Sequence, residues 1–259
     1  MADRVEALLR ELGSRLLDWR RQGGNVGAWR GREFKSEADR HAHDFLVSRL
    51  HEVAPDLPVV SEEDVASQSE TRPARYWLVD PIDGTASYCD GFDGFVTQVA
   101  LMEAGRPDFG IVHAPALGLT YRGQRGRVST CNGRPIAVAP PRDALTLIDN
   151  YPQPRGIARS LCDAMGIHNY MESGSIALKV CRVADGTADI FVKDVVVRDW
   201  DLAAPHAVLE GAGGTLTDFG GQPIHYGGPM EKHGLMAAAS ALLAERVQRA
   251  CRAQSELTR

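Results

Sequence analysis

Basic surplus, paired cysteines and long apolar runs are all missing from this 259-residue chain. Its 29 Lys and Arg stand against 34 Asp and Glu, a net charge of -5. That leaves no general electrostatic footprint for nucleic acid or an anionic membrane, so a phosphate ligand has to be met by local groups or by a metal. The five cysteines, Cys89, Cys131, Cys162, Cys181 and Cys251, are odd in number and scattered. Without a CxxC pair they predict reduced thiols rather than a disulfide framework, a zinc site or a redox pair. Asp3, Glu6, Glu11 and Asp18 interrupt the leucines of the first helix pattern, which denies it the apolar core of a secretory signal. The longest apolar-looking stretch, Leu235 to Ala244, is too short to cross a bilayer. These absences predict a cytoplasmic protein with neither a membrane nor a nucleic-acid partner. The balance of 44% hydrophobic and 24% charged residues is that of an ordinary globular chain.

Val5, Leu8, Leu9, Leu12, Leu16 and Trp19 recur at helical spacing and predict an amphipathic helix ending near Gly23-Gly24. Ser36, Glu37 and Asp39 open a second helix through Ala42, Phe45, Leu46 and Leu50, closed by Pro55. Leu57 to Val60 and Tyr76 to Val79 read as short buried strands, and each runs into an acidic cluster. From Phe95 to Val138 short β-like runs alternate with Gly, Pro and Asn turns, the texture of an antiparallel meander. After Pro140-Pro141 strands and helices alternate: strands near 145–149, 189–192 and 214–217, and helices near 157–165, 175–183 and 202–210, with a last helix from Ala239. The proline junction divides the chain into parts 1–140 and 141–259.

The most informative segment is Trp77-Leu78-Val79-Asp80-Pro81-Ile82-Asp83-Gly84-Thr85, where an apolar strand runs into two carboxylates. Pro81 stiffens the turn and biases Asp80 toward an extended backbone, which suits two acids that share hard cations. Gly84 permits close backbone approach, leaving the amides of Gly84 and Thr85 to hold a phosphate oxygen. Ser61-Glu62-Glu63-Asp64 and Arg198-Asp199-Trp200-Asp201 also lie at element ends; Asp201 could be a metal ligand, the N-cap of a helix from Leu202, or both. Three such clusters would repel one another unless metal ions sat between them, so a Mg2+ site is the economical reading.

With these residues the chain resembles the inositol monophosphatase superfamily of magnesium-dependent phosphomonoesterases along nearly its whole length. The shared features are Ser61-Glu62-Glu63, the WxxDPxDGT segment, Gly174-Ser175, and Trp200-Asp201 followed by Ala212-Gly213-Gly214. The resemblance implies an α/β fold, the layered αβαβα sandwich of the inositol monophosphatase and fructose-1,6-bisphosphatase type. It implies two or three Mg2+ ions held by Glu62, Asp80, the carbonyl of Ile82, Asp83 and Asp201, the third ion weakly bound near Glu62. It also implies a Thr85–Asp39 dyad that orients the attacking water, with Glu62 in the catalytic set, lithium sensitivity and a homodimer. The expected substrate is a small phosphorylated metabolite contacted by Gly84, Thr85, Ser175, Lys179 and Asp201.

Within the superfamily the Ser61 to Asp64 tetrad, Lys179 and the Trp200 to Leu209 stretch are more similar to CysQ-type 3'(2'),5'-bisphosphate nucleotidases, which points to adenosine 3',5'-bisphosphate. Lys179 is either the cation that would meet the second phosphate or an ordinary solvated helix lysine. Ala86-Ser87-Tyr88 matches neither subgroup, and inositol 1-phosphate, sugar bisphosphates and histidinol phosphate stay open as substrates. A SuhB-like regulatory binding protein is the reading from another class; it would not require the full ligand set that this chain carries. His206 could touch substrate or face solvent. The Gly211 to Gly214 run follows a helix and precedes a strand, the wrong order for a phosphate loop, and reads as a helix end.

Overall fold

A computed structural model describes residues 1–24, 26–30 and 33–257. In chain order it has helix α1 (Ala2–Arg21), the hairpin β1 (Gly27–Arg30) and β2 (Glu33–Ser36), helix α2 (Glu37–Val53), strands β3 (Val59–Ser61) and β4 (Arg75–Asp83), and short helix α3 (Thr85–Cys89). Strands β5 (Val96–Glu103), β6 (Arg106–Ala114), β7 (Leu119–Gln124), β8 (Thr130–Cys131) and β9 (Arg134–Pro135) follow. The remainder is β10 (Thr146–Asp149), α4 (Gly156–Met165), β11 (Asn169–Glu172), α5 (Ile176–Ala184), β12 (Ile190–Arg198), α6 (Asp199–Gly211), β13 (Thr215–Thr217), β14 (Glu231–Ala238) and α7 (Ala241–Leu257).

Strands β3 to β9 form one sheet in sequence order, with β3 parallel to β4 and the others antiparallel. The second sheet has the order β11-β10-β12-β14-β13, parallel at β11-β10-β12 and antiparallel beyond. Period-two alternation then sorts the core into layers. Trp77, Val79, Val99, Leu101 and Ile111 face α1 and α2, packing with Leu9, Leu12, Leu16, Leu46 and Leu50. Their neighbours Tyr76, Leu78, Ala100, Met102 and Val112 point the other way, onto α5 and α6. The second sheet repeats the pattern: Ile148, Phe191 and Leu235 join that central core, while Leu147, Ile190 and Met236 pack on α4 and α7. The result is the αβαβα sandwich. Helix α6 lies so close to the first sheet that a side chain at Gly110 or Gly123 would drive into its backbone, a Cβ meeting Ala204 O at 2.3 Å or Ala207 O at 2.2 Å.

Several expectations are corrected in detail. Strand β14 was not among the expected elements; it takes up the apolar stretch from Leu235, whose residues 235–238 are buried throughout because the strand is central, paired with β12 on one side and β13 on the other. The strand expected over Arg127 to Cys131 is reduced to β8, and that over Pro135 to Val138 gives way to β9, which ends at Pro135. Helix α6 begins at Asp199, so Asp201 is inside its first turn and not its N-cap. None of the described helices is long and apolar enough to cross a membrane.

Candidate active site

The end of β4 delivers Asp80 and Asp83 into the space between the two sheets, where backbone amides of α5 hold Asp83 and a side-chain amide from β5 holds Asp80. Asp83 accepts from Ile176 N at 3.2 Å and Ala177 N at 2.7 Å, the first amides of α5, which have no partner within the helix. Ser175 N-caps the same helix: its hydroxyl accepts from Leu178 N at 2.9 Å, and its own amide donates to Gly94 O at 2.6 Å. Asp201 accepts from Arg198 N at 2.7 Å. Asp80 receives Gln98 Nε2 at 3.3 Å on one oxygen, and its other oxygen, Oδ1, is buried without a hydrogen-bond partner. Gly84 takes φ +89°, a left-handed conformation open to glycine at little cost, and turns the chain into α3.

These acids sit close enough to disfavour one another's charge. Burial pushes the Asp80 carboxyl far above the usual range, and Glu62, Asp83 and Asp201 push it further. Asp201 is raised for the same reasons, burial first and then Asp83 and Glu62. Asp83 and Glu62 are raised by burial, against the pull of the α5 amides in one case and of Lys35 in the other. No three of the described His, Cys, Asp or Glu side chains are already drawn into one tight metal cage. The cluster is nevertheless a set of mutually repelling oxygen donors that includes an orphaned buried oxygen, Asp80 Oδ1, and that donor chemistry fits a hard divalent cation.

Asp39 and Thr85 come together from α2 and α3. Thr85 Oγ1 lies 2.9 Å from Asp39 Oδ1 and 3.1 Å from Ile82 O. The other Asp39 oxygen accepts from Ser36 N at 2.6 Å and Ser36 Oγ at 2.7 Å, a reciprocal cap that ties the hairpin to α2. Lys35, next to that cap, was not among the expected site residues. Its Nζ lies 2.7 Å from Glu62 Oε1 and 2.5 Å from Glu63 Oε1.

Two expected substrate contacts are corrected. Lys179 has no exposed surface; its ammonium donates to Gly174 O and lies 5.0 Å from the Phe191 ring centroid. A lysine enclosed in this way is neither a solvated helix residue nor reachable by a second phosphate. Ser175 is buried and engaged in capping. His206 is partly buried: its Nδ1 is 2.8 Å from the Tyr226 hydroxyl, and burial lowers its pKa to about 4. Two cations nearer solvent lie in β12 and in the segment after β10. Lys193 Nζ pairs with Asp149 Oδ1 at 2.8 Å, and the exposed Tyr151 ring has Arg155 Cζ at 4.7 Å and Lys193 Nζ at 6.0 Å from its centroid. Ser173 N donates to Asp149 O at 2.8 Å, joining this group to the turn that carries Gly174 and Ser175.

Comparison with known proteins matches residues 6–256 to the inositol monophosphatase family. The chain is 35% identical over 200 residues to the 3'(2'),5'-bisphosphate nucleotidase CysQ of Shigella flexneri, covering 73% of this chain and 78% of that protein. It is 31% identical over 225 residues to the fructose-1,6-bisphosphatase/inositol-1-monophosphatase of Thermotoga maritima, with 83% of each chain covered. Among solved structures, a Thermotoga maritima inositol monophosphatase superposes with a TM-score of 0.84 at 25% identity, over 98% of both chains.

Proposed function

Because the chain belongs to the inositol monophosphatase family, we propose that it hydrolyses a small phosphorylated metabolite bearing a second anionic group, with adenosine 3',5'-bisphosphate as the best candidate. It is a phosphatase of that family, whose members are metal-dependent, generally on Mg2+, and typically lithium-sensitive. The observation that carries the substrate reading is the exposed Tyr151 ring flanked by Arg155 and Lys193, close to the turn that caps Asp83. An aromatic face can stack a base, and two cations can repay the desolvation of a remote phosphate. The similarity to a bisphosphate nucleotidase supports the same choice.

In this reading Glu62, Asp80, Asp83 and Asp201, with the carbonyl of Ile82, hold two magnesium ions. Bound there, they would supply charge neutralisation for the phosphate and acidify a coordinated water. The remaining chemistry belongs to the chain. Thr85 commits its hydroxyl proton to Asp39 or to Ile82 O, so its oxygen is left to accept from a water and turn that water's lone pair toward phosphorus. Asp39 is itself held by Ser36, which keeps this arrangement fixed before substrate arrives. The amides of Gly84 and Thr85 open the first turn of α3, where unpaired N–H groups suit a phosphate oxygen.

Phosphate release from adenosine 3',5'-bisphosphate, inositol 1-phosphate, fructose 1,6-bisphosphate and histidinol phosphate tests the proposal. We expect the highest kcat/KM for the adenosine compound. Lys193→Met and Arg155→Met should raise KM for it and leave inositol 1-phosphate little changed. A preference for inositol 1-phosphate, or variants that leave the ratio of the two substrates untouched, would overturn the substrate assignment.

A further inference from the structure

We infer that Lys35 is a built-in counter-cation of this site, occupying the outer side of Glu62 where the family resemblance would place a weakly held third ion. The inference rests on the metal-phosphatase reading, but its evidence is geometric. The ammonium bridges Glu62 Oε1 at 2.7 Å and Glu63 Oε1 at 2.5 Å, and only 13% of the Lys35 side chain is exposed. Its aim is fixed by the next residue, because Ser36 is clamped through both its amide and its hydroxyl to Asp39. The bridge engages Oε1 of Glu62, and Glu62 also lies close to Asp80, so an ion shared by those two residues is compatible with Lys35 in place. An additional divalent ion drawing on Glu62 Oε1 and Glu63 is not compatible, since it would share both donors with an ammonium in hydrogen-bond contact with them.

Lys35 in this role is a positioning residue. It holds the Glu62–Glu63 pair oriented without a diffusible ion. A tethered cation also has no binding equilibrium to satisfy, so this side of the site is filled at any magnesium concentration. The consequence is a lower metal stoichiometry than the expected upper count of three.

The test is direct counting of Mn2+ bound per chain, by electron paramagnetic resonance of the free ion, on the full-length protein without substrate. The wild type should bind two ions. Lys35→Gln should bind one more, weakly, and require more Mg2+ for half-maximal phosphate release, while Lys35→Arg should keep the wild-type count. Thermal melting in EDTA shows whether each variant is folded before its count is compared. Equal counts for folded wild type and Lys35→Gln, or a third ion in the wild type, would overturn the inference. If neither protein binds Mn2+, the metal reading itself fails, an outcome distinct from failure of the role given to Lys35.

Discussion

The hairpin side and the α5 side of the carboxylate site each enclose a lysine, and the two environments are opposite. Burial depresses both ammonium groups. Around Lys179 it prevails: the neighbouring charge of Asp83 opposes it only in part, Lys193 adds to it, and the pKa falls to about 7. Around Lys35 the direct contacts with Glu62 and Glu63 outweigh burial, and the group stays above the ordinary lysine range. The hydrogen bond of Lys179 goes to a carbonyl, Gly174 O, whereas those of Lys35 go to two carboxylates. A buried cation is therefore kept charged by the acids it touches, and proximity to an acidic site is not enough.

The largest effect should come from removing the carboxylates themselves. Asp83→Asn and Asp201→Asn should each lower kcat by roughly 10³-fold, the scale of losing a group that organises transition-state charge. Their stabilities should differ. Asp201 accepts one backbone amide, which an asparagine oxygen can still do, so its metal-free melting temperature should hold or rise as repulsion is relieved. Asp83 accepts two amides on two oxygens, and asparagine must lose one of them, a cost of about 1 kcal/mol. Phosphate release and thermal melts in EDTA check both statements; full activity of Asp83→Asn at saturating Mg2+ would remove it from the metal set.

Next in size is Thr85→Ala, which should lower kcat by roughly 10²-fold with little change in KM, because a water-orienting hydroxyl acts on the transition state. A change confined to KM would make Thr85 a ground-state substrate contact and separate it from Asp39.

A smaller effect distinguishes the lysines by pH. The folded pKa of Lys179 is about 7 against an unfolded value of 10.5, so between these limits the unfolded chain binds more protons. Stability of the metal-free protein should therefore rise with pH across that window. Lys179→Met should flatten the slope, as melts from pH 7 to pH 9 would show. A slope that survives the substitution would place its origin elsewhere. The smallest expected effect concerns lithium: at equal ionic strength Li+ should inhibit more than Na+, and Lys35→Gln should deepen the difference by opening a weak site. A Lys35→Gln variant no more sensitive than the wild type would blur the contrast between the two sides.

What was legible in the sequence was local. Asp80, Pro81, Asp83, Gly84 and Thr85 lie within one strand end, and the apolar run before them announced it. The helix spacing from Val5 to Trp19 and the Ser36 to Asp39 cap were readable for the same reason, since a few adjacent residues determine both. Lys35 escaped notice because its partners, Glu62 and Glu63, are brought to it by the pairing of β3 with β4 and by the hairpin, neither of which its neighbours in sequence encode. Lys179 was misread because helix periodicity does not say that both faces of α5 are covered, one by each sheet. Even the run Leu178-Lys179-Val180-Cys181, buried throughout, resembles a solvated helix at its one charged position. Strand β11 was missed because Asn169 to Glu172 has little apolar character and lies at a sheet edge.

The layer shared by the two sheets also bears on how the chain folds. Leu202, Ala203, Val208 and Leu209 of α6 close a core whose other wall is Tyr76, Leu78, Ala100 and Val112, from the far side of Pro140-Pro141. Neither sheet is covered on its inner face until that helix layer docks, so the chain should melt in a single cooperative transition and not sheet by sheet. For the same reason a cut at the proline junction would leave two fragments with complementary sticky faces. Mixing them should restore the fold, and phosphatase activity with it, only when both are present.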